Sequence, residues 1–317
     1  MKLVVQIPCL NEEKTLPLVL QDIPTHIKGI DSIEVLIIDD GSTDKTIAVA
    51  KKYGVKHFVR HTHNRGLARS FRDGLDKSLE LGADIIVNTD GDNQYPGARI
   101  ADLVQPIIAG RADMVIADRQ TKKIADFSPL KKLLQRVGTR VLNAAAGTNV
   151  PDAPSGFRAY SRETAIRLNV VTSFSYAMET FIQAGNKRLH IETIRITTNA
   201  KTRESRLFKS MPGYVARSGA AIFRAYVMYR PYVIFLVPGF VLLGLGLVPF
   251  VRFAYLVSFA NEAGARHLQS LIVGSVLVIT AIVIFALGVL ADLIRINRIL
   301  IEESLEQQKR LRFDKRP

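Results

Sequence analysis

Cysteine is nearly absent from this sequence, since Cys9 is the only one among 317 residues. An intrachain disulfide is therefore excluded, which fits a reducing compartment. We also expect no secretory leader, because the sequence opens with the strand-like residues 2–7 and shows no basic segment, apolar segment and cleavage site in series. We expect the N-terminal part of the chain to stay in the cytoplasm.

Acidic residues are too few to balance the basic ones, which leaves a formal charge of +14. Such an excess suits either nucleic acid or an anionic membrane surface. The sequence carries no signature of a nucleic-acid-binding module. Residues 201–230 hold seven cations and one anion, directly before a long uncharged run. This distribution predicts a lipid bilayer as a partner and no nucleic acid.

Charge is absent altogether from residues 231–251 and 268–291, runs of 21 and 24 residues. Each is longer than the ~20 residues that cross a hydrocarbon core. A buried core helix is the alternative, and the length and uniformity of the runs disfavour it. The spans also hold no ionisable residue, so an ion pathway within one copy is not expected. We predict a transmembrane hairpin.

The flanking charges predict how this hairpin is oriented. The segment 252–267 carries two cations, whereas the tail 292–317 carries seven. The positive-inside rule then places residues 1–206, a juxtamembrane region 207–230 and the tail in the cytoplasm. The juxtamembrane region has the pattern of an amphipathic helix lying on the headgroups, or of one packed on the preceding domain.

Short apolar runs alternate with amphipathic segments before residue 206. This alternation predicts an α/β fold with a mainly parallel sheet. The predicted strands are 3–7, 33–38, 55–59, 85–87, 114–117, 159–160 and 191–198. Helices are expected over 45–53 and 100–108. Two further helices are expected to start at about residues 15 and 163, and another is expected to end at about residue 81. The basic segment 120–133 is read as a flap over the site or as a solvated loop leading into a surface helix.

Two carboxylates follow the buried-type strand 85–87, at Asp90 and Asp92. The carboxyl ends of strands in open α/β sheets are where ligands bind. Carboxylate oxygens at this spacing suit one Mg²⁺ or Mn²⁺ bridging to a diphosphate, although an ordinary Asp-Gly turn has the same letters. His61 and His63 lack a third ligand for zinc, and we assign them a structural role.

Five motifs in this order resemble the family 2 glycosyltransferases. They are Pro8 with Asn11-Glu12-Glu13, Asp39-Asp40-Gly41-Ser42-Thr43-Asp44, Asn64-Arg65-Gly66-Leu67, Asp90-Gly91-Asp92-Asn93-Gln94 and Ser155-Gly156-Phe157-Arg158. The resemblance covers about residues 2–206. It is closest to the polyprenyl-phosphate sugar transferases, which include dolichol-phosphate mannose synthases. It implies a GT-A (Rossmann-like) fold and a nucleotide-sugar donor.

The resemblance also implies roles for individual residues. Donor and acceptor binding falls to Pro8, Asn11, Glu12, Asp39, Asp40, Asn64, Gly66, Asp90, Arg203 and Arg206. Metal contacts are expected from Asp90, Asp92 and Gln94, to Mg²⁺ or Mn²⁺. Catalytic roles are expected for Asp92, Arg119 and Arg158. Glu179 occupies roughly the position of a catalytic carboxylate in other members, and a structural helix carboxylate is an equal reading.

The implied reaction moves a hexose from a nucleoside-diphosphate sugar to undecaprenyl or dolichyl phosphate with inversion. We favour a UDP-sugar such as UDP-glucose, with GDP-mannose as the alternative. A divalent ion and arginines would neutralise the departing diphosphate. A phosphate acceptor is already ionised at pH 7, so a general base is less necessary.

Other functions remain to be weighed against this one. A processive polysaccharide synthase usually carries a Gln-X-X-Arg-Trp motif and a larger membrane region, whereas this chain has no tryptophan and only two apolar runs. A catalytically silent membrane adaptor is disfavoured by the intact Asp40, Asp90, Asp92 and Arg158. The uncharged spans give a transporter or flippase partner little support. Homo-oligomerisation is predicted from the small hairpin and the tail.

Overall fold

The computed structural model describes residues 1–120, 129–171, 176–200, 219–220, 223, 227, 229, 231–259 and 268–313. These residues form two compact units, which are described separately. The first comprises Met1–Ile222 and Glu302–Pro317, and the second comprises Phe223–Ile301. The juxtamembrane segment 207–230, predicted to be helical, and most of the predicted flap 120–133 lie outside the described residues.

The described part of the first unit contains a sheet of seven strands in the order β3-β2-β1-β4-β6-β5-β7. The strands are β1 Lys2–Cys9, β2 Ser32–Asp39, β3 His57–Arg60, β4 Ile85–Asn88, β5 Met114–Asp118, β6 Arg158–Ser161 and β7 Ile191–Arg195. All neighbouring pairs are parallel except those made by β6, which runs antiparallel to both β4 and β5. The predicted mainly parallel α/β sheet is confirmed.

Seven helices in the described part of this unit connect the strands. They are α1 Leu16–Asp22, α2 Thr46–Lys52, α3 Leu67–Glu80, α4 Ile100–Ile108, α5 Pro129–Ala146, α6 Arg162–Arg167 and α7 Tyr176–Asn186. Helix α4 has the predicted bounds, whereas no bounds were predicted for α5 and α7. All seven predicted strands are present. Five of them are one to three residues longer than predicted, whereas β3 starts at His57 and not at Val55, and β7 ends at Arg195 and not at 198.

Strand β1 lies inside the sheet, between β2 and β4, and is buried over almost its whole length. Parallel sheets are covered on both faces, so such a strand reads as a continuous apolar run. Leu3, Val5 and Ile7 pack in the same core cluster as residues of α1 and α4. On the opposite face, a Cβ at Gly74 of α3 would lie 2.7 Å from Oε1 of Gln6. Glycine at this position therefore lets α3 approach the sheet closely.

The second unit consists of α8, Pro231–Phe259, and the part of α9 up to Ile301, where the whole helix is Leu268–Phe313. Both helices are long and apolar enough to cross a membrane. Only 11% and 17% of their most apolar windows are buried, unlike the core helices of a soluble protein. Residues 252–259, predicted as part of the connecting loop, are helical instead.

Glycines bring the two helices of this unit together. A Cβ at Gly246 would lie 3.0 Å from the backbone nitrogen of Val278, and one at Gly274 would lie 2.8 Å from the carbonyl oxygen of Gly246. A Cβ at Gly239 would overlap the Phe285 ring. Small residues allow close backbone approach between helices in lipid, where apolar burial gives little driving force.

Candidate active site

The carboxyl ends of β2, β1 and β4 are neighbours at one edge of the sheet. Cys9 of β1 pairs with Asp39 of β2, and Gln6 pairs with Asn88 of β4. Because these strands are parallel, the loops that follow them emerge on the same side. The structure thus brings together the predicted residues of loops 10–13, 39–44 and 89–94.

The first two loops are bonded to each other through side chains. Asn11 has a left-handed backbone (φ 56°), and its Oδ1 accepts a hydrogen bond from the Thr43 backbone nitrogen at 2.8 Å. The Asn11 backbone nitrogen donates to Oγ of Ser42 at 2.9 Å. The Glu12 backbone nitrogen donates to Oγ1 of Thr46, also at 2.8 Å. These bonds set the shape of the rim around the predicted nucleotide pocket.

Asp40 is buried and organises the turn that precedes α3. Its Oδ1 accepts a hydrogen bond from the Arg65 backbone nitrogen at 2.8 Å, and its Oδ2 accepts one from Gly66 at 2.9 Å. Asn64 supports the same turn, because its Oδ1 accepts from the Gly66 nitrogen at 2.8 Å. Gly66 has φ 90°, which an L side chain rarely adopts. Asp39 is buried next to this turn, and its Oδ1 accepts from the Ser42 nitrogen.

His61 connects Asp40 to α3. Its Nδ1 lies 2.7 Å from Oδ1 of Asp40, and its Nε2 lies 3.1 Å from Oδ2 of Asp73. Asp73 also accepts a hydrogen bond from Nε of Arg69 at 2.9 Å. The imidazole is almost fully buried between the two carboxylates. This arrangement agrees with the structural role predicted for His61.

The loop after β4 carries the predicted metal carboxylates, and both Asp90 and Asp92 are half-buried. Oδ1 of Asp92 accepts a hydrogen bond from the Gln94 backbone nitrogen at 3.1 Å. The Gly91 carbonyl accepts one from Oγ1 of Thr15 at 2.7 Å, which fastens this loop to the start of α1. A Cβ at Gly91 would lie 3.1 Å from Sγ of Cys9, so the loop packs directly on the end of β1.

Two buried tyrosines face this acidic loop. Burial raises the pKa of Tyr176 well above its usual value, and the charge of Asp90 raises it further. Burial also raises the pKa of Tyr95; the Arg119 charge opposes this rise and Asp90 adds to it. Both hydroxyl groups are therefore protonated at neutral pH.

The donor atoms at this edge fit a divalent cation held partly by substrate. Within the described ranges, no three His, Cys, Asp or Glu side chains are grouped so that they could hold a metal. Asp90, Asp92 and Gln94 offer hard oxygen atoms. Mg²⁺ in nucleotide enzymes typically binds one or two protein carboxylates and takes its other ligands from water and phosphates. The residues match an open site of this kind.

A wall of the site comes from the antiparallel strand β6 and the loop before it. Nδ2 of Asn88 donates to the Gly156 carbonyl at 3.1 Å and to Oη of Tyr176 at 2.9 Å. The Gly156 nitrogen donates to Oη of Tyr95 at 3.2 Å. A Cβ at Gly156 would lie 3.5 Å from Oδ2 of Asp90. The peptide at residue 156 therefore borders the acidic loop.

Comparison with known proteins assigns the chain to a family. Residues 4–168 match the model of glycosyl transferase family 2. The chain belongs to this family. Among relatives, the UDP-N-acetylglucosamine–dolichyl-phosphate N-acetylglucosaminyltransferase of Methanococcus voltae is 30% identical over 217 residues, which is 61% of this chain and 83% of that protein. The undecaprenyl-phosphate mannosyltransferase of Micrococcus luteus is 26% identical over 226 residues, 69% of this chain and 91% of that protein.

A solved structure confirms the GT-A-like fold of this family 2 glycosyltransferase. It is the glucosyl-3-phosphoglycerate synthase of Mycobacterium tuberculosis, in complex with Mn²⁺, UDP-glucose and phosphoglyceric acid. It superposes with a TM-score of 0.54 at 22% identity and covers 71% of this chain and 78% of that one. The prediction that this chain is a glycosyltransferase is confirmed by the family assignment.

Arg119 and Arg158, both predicted to be catalytic, occupy different environments in this glycosyltransferase. Nε and a terminal nitrogen of Arg119 bind Asp152 at 2.7 and 2.9 Å, and the arginine is partly exposed. Arg158 is fully buried, and it donates to the carbonyls of Ser155 and Ala153 and to Oγ1 of Thr180. This arrangement points to a role of Arg158 in shaping the loop before β6. A direct catalytic contact stays a prediction.

Glu179 lies in the first turn of α7 and is buried. Its two carboxylate oxygens accept from the Val171 backbone nitrogen at 3.3 and 3.2 Å. This contact favours the structural reading of Glu179 over the catalytic one, because it ties the start of α7 to the preceding segment.

Two predicted arginines, Arg203 and Arg206, lie outside the described residues. The segment leading to them contacts the acidic loop through Asn199. Its backbone nitrogen donates to the Gln94 carbonyl at 3.0 Å, and its Nδ2 donates to the Asn93 carbonyl at 3.0 Å.

The structure adds residues that the sequence analysis did not single out. Asn88, Tyr95 and Tyr176 are buried and bind Gly156, a member of a recognised motif. The sequence signal for this group is Asn88, an uncharged polar residue that ends an otherwise apolar strand two positions before Asp90. No local pattern indicated that Tyr176, 88 positions away, would contact it.

Proposed function

We propose that this family 2 enzyme transfers a hexose from a nucleoside-diphosphate sugar to a polyprenyl phosphate. The observation that carries the proposal is the meeting of three polar loops at the carboxyl ends of β2, β1 and β4, with Asp90 and Asp92 on the loop after β4. An arrangement of this kind places carboxylates where a donor diphosphate would be bound. The relatives support the acceptor, since their names specify dolichyl phosphate and undecaprenyl phosphate.

The chemistry is a single displacement at the anomeric carbon. An oxygen of the acceptor phosphate forms the new bond to C1, the bond from C1 to the donor β-phosphate oxygen breaks, and the nucleoside diphosphate leaves with the electron pair. Inversion follows from this geometry. Since the acceptor oxygen is already an anion at neutral pH, the protein's task is to position the two substrates and stabilise charge.

We assign these tasks to the residues that the motifs identified. Asp90, Asp92 and Gln94 would hold Mg²⁺ or Mn²⁺, which supplies charge neutralisation for the departing diphosphate. The loops that contain Pro8, Asn11, Glu12, Asp39 and Asp40 would enclose the nucleoside, with Asn64 and Gly66 at their border. Arg203 and Arg206 would bind phosphate oxygens, which the guanidinium group matches by its two parallel donors. Arg119 already binds Asp152 through such a pair, so it would offer its remaining N–H groups to a phosphate.

The proposal also specifies the nucleotide base and the sugar of the donor. We favour a UDP-sugar because the name of the Methanococcus voltae relative specifies a UDP-linked donor. The name of the Micrococcus luteus relative specifies mannosyl transfer, which makes GDP-mannose the second candidate.

The apolar helices α8 and α9 support action at a membrane, where a polyprenyl acceptor resides. We propose that they cross the cell membrane as a hairpin and that the catalytic unit and the C-terminal tail face the cytoplasm. The excess of cations in residues 292–317 over residues 252–267 supports this orientation.

The deciding assay measures transfer of radiolabelled sugar from UDP-glucose, UDP-N-acetylglucosamine or GDP-mannose to a short polyprenyl phosphate, with Mg²⁺, Mn²⁺ or EDTA. Metal-dependent formation of a lipid-linked sugar supports the proposal and identifies the base. Transfer to a different acceptor would retain the glycosyltransferase and refute the lipid phosphate. Nucleotide binding without turnover of any of these donors would point to an untested sugar, whereas no nucleotide binding at all would favour the silent adaptor.

The role of Asp92 is tested by Asp92→Asn, which removes the charge and keeps the size. We expect kcat to fall by at least about 100-fold, because a charge-stabilising group at the reacting phosphate is lost. Asp102→Asn is the matched control. Asp102 is a half-exposed carboxylate of α4 that pairs with Arg99, the residue before this helix. Equal rates for Asp92→Asn and Asp102→Asn, in folded proteins, would contradict the assignment.

A further inference from the structure

The backbone of Gly156 is held on both sides by buried side chains. Its carbonyl accepts hydrogen bonds from Nδ2 of Asn88 at 3.1 Å and from Oη of Tyr176 at 3.4 Å. Its nitrogen donates to Oη of Tyr95 at 3.2 Å. The three partners come from β4, from the start of α7 and from the loop after Asp92. Residues distant in sequence thus fix one position on the wall of the site.

The clamped residue lies next to Asp90. A Cβ at Gly156 would be 3.5 Å from Oδ2 of Asp90, within ordinary van der Waals contact. Asn88 precedes Asp90 by two positions on the same strand end. A shift of Gly156 would therefore displace the predicted metal ligand Asp90 and the substrate group that lies against it.

Each member of the clamp is itself immobilised. The Tyr176 ring stacks on Phe71 of α3 with a centroid distance of 4.1 Å and an interplanar angle of 13°. Oδ1 of Asn88 accepts a hydrogen bond from Nε2 of Gln6 at 3.0 Å. A site whose supporting groups are locked in this way needs little reorganisation during the reaction.

We propose that Tyr176 and Asn88 are positioning residues for the sugar transfer, which act by fixing the Gly156 peptide beside Asp90. This inference rests on the proposed function. The contribution of Tyr176 lies in its hydroxyl group, because the ring alone would satisfy the stack on Phe71. The clamp is expected to affect the chemical step more than donor binding, since Gly156 borders Asp90 and not the nucleoside loops.

The first test is Tyr176→Phe, with Tyr160→Phe as the matched control. Tyr160 is a second buried tyrosine that packs edge-on against the same Phe71 ring and lies on β6. We expect Tyr176→Phe to lower kcat by about 10- to 100-fold, because small displacements in an active site have effects of this size. The KM for the donor should stay within about two-fold of wild type, and Tyr160→Phe should keep kcat close to wild type, because the Tyr160 hydroxyl group does not contact Gly156.

The second test uses the space around Gly156. A Cβ there would lie 2.8 Å from Oη of Tyr176, whereas its other near neighbours are at 3.5 Å or more. Gly156→Ala should therefore lower kcat by displacing the peptide. Removing the hydroxyl group relieves this overlap, so the double variant Gly156→Ala/Tyr176→Phe should be no slower than the slower single variant.

The outcomes separate this inference from the proposed function. If the wild-type protein transfers sugar and the Tyr176→Phe and Tyr160→Phe variants have equal kcat, the positioning role is overturned and the proposed function stands. Losses that multiply in the double variant would also overturn it, because they would show that Gly156 and Tyr176 act independently. No transfer by the wild type from any donor would overturn the proposed function and the inference together.

Discussion

At the scale of single residues, carboxylates of the candidate site hold loops in place. Asp40 binds the backbone nitrogens of Arg65 and Gly66 and the His61 ring, and it is almost inaccessible to solvent. Asp39 likewise binds the Ser42 nitrogen. A charged group with several charge-assisted hydrogen bonds is costly to replace. The family resemblance implies that Asp40 helps to bind the donor nucleotide. We infer that it does so by ordering the loops around the nucleotide pocket.

Cys9, the last residue of β1, allows a prediction about how accessible this end of the strand is. Burial raises the pKa of the Cys9 thiol well above its usual value, and the nearby Glu12 and Asp39 carboxylates raise it further. The native thiol should therefore remain protonated at pH 8.5, where a free cysteine would be substantially ionised. We expect iodoacetamide to modify Cys9 at least about 100-fold more slowly in the folded protein than in denaturant.

Mass spectrometry of the alkylated protein checks this expectation. Lys51→Cys supplies an internal control, since Lys51 is exposed on α2. Equal modification of Cys9 and the introduced cysteine in the native state would show that the end of β1 is open to solvent.

At the scale of elements, the end of α9 is part of the catalytic unit. Glu302–Pro317 belongs to the first compact unit, with the catalytic sheet. Lys187 lies 3.6 Å from Glu302 and 3.8 Å from Glu306. Arg310 forms an ion pair with Glu163 of α6. The described end of the predicted cytoplasmic tail thus contacts its own catalytic unit, and homo-oligomerisation through the tail stays a prediction.

Lys309 is a half-buried residue of this contact. It allows a prediction about how the end of α9 stabilises the catalytic unit. Its Nζ donates to the Leu168 carbonyl at 2.7 Å. Burial lowers the pKa of Lys309, and Asp76 opposes the shift; burial likewise raises the pKa of Asp76, and Lys309 opposes that shift. Each charge therefore compensates the other. Removing one partner should cost more than removing both.

We expect Lys309→Met to lower the thermal midpoint by about 2–4 °C, which corresponds to ~1 kcal/mol in a domain of this size. The double variant Asp76→Asn/Lys309→Met should recover at least half of the loss. Thermal melts of the detergent-solubilised protein provide the measurement. A double variant that is less stable than Lys309→Met would show that the two charges do not compensate each other.

At the scale of the whole molecule, the chain combines a soluble-type catalytic unit with a unit of two apolar helices. The helices contact each other through Gly239, Gly246 and Gly274, as membrane helices commonly do. A polyprenyl phosphate has its charged end at the membrane surface and its chain in the hydrocarbon. The pairing of the two units is therefore consistent with the proposed acceptor.

The orientation of the hairpin is the prediction at this scale. In a Cys9→Ala background, Ala263→Cys places a thiol between α8 and α9, and Lys51→Cys places one on the catalytic unit. We expect a membrane-impermeant maleimide to label Ala263→Cys in intact cells and Lys51→Cys only after permeabilisation. The opposite pattern would place the catalytic unit outside the cell.

The sequence by itself determined the local features of this protein. Hydrophobic periodicity located α4 and most strands, the uncharged runs located α8 and the apolar part of α9, and the motifs identified family 2. These predictions succeed because strand and helix preferences, turns and membrane spans depend on residues close together in the chain. The carboxyl ends of β1, β2 and β4 could be grouped from the βα alternation alone.

Only the tertiary structure decided which distant side chains meet. It inserted β6 antiparallel between β4 and β5, and so placed Gly156 beside Asp90. It also buried Arg158 and brought Tyr176 to Asn88. These contacts satisfy buried polar groups across 20 to 88 positions, and no periodicity specifies such a partner. The physical reason is that strand order and side-chain pairing follow from global packing, whereas sequence patterns report local structure.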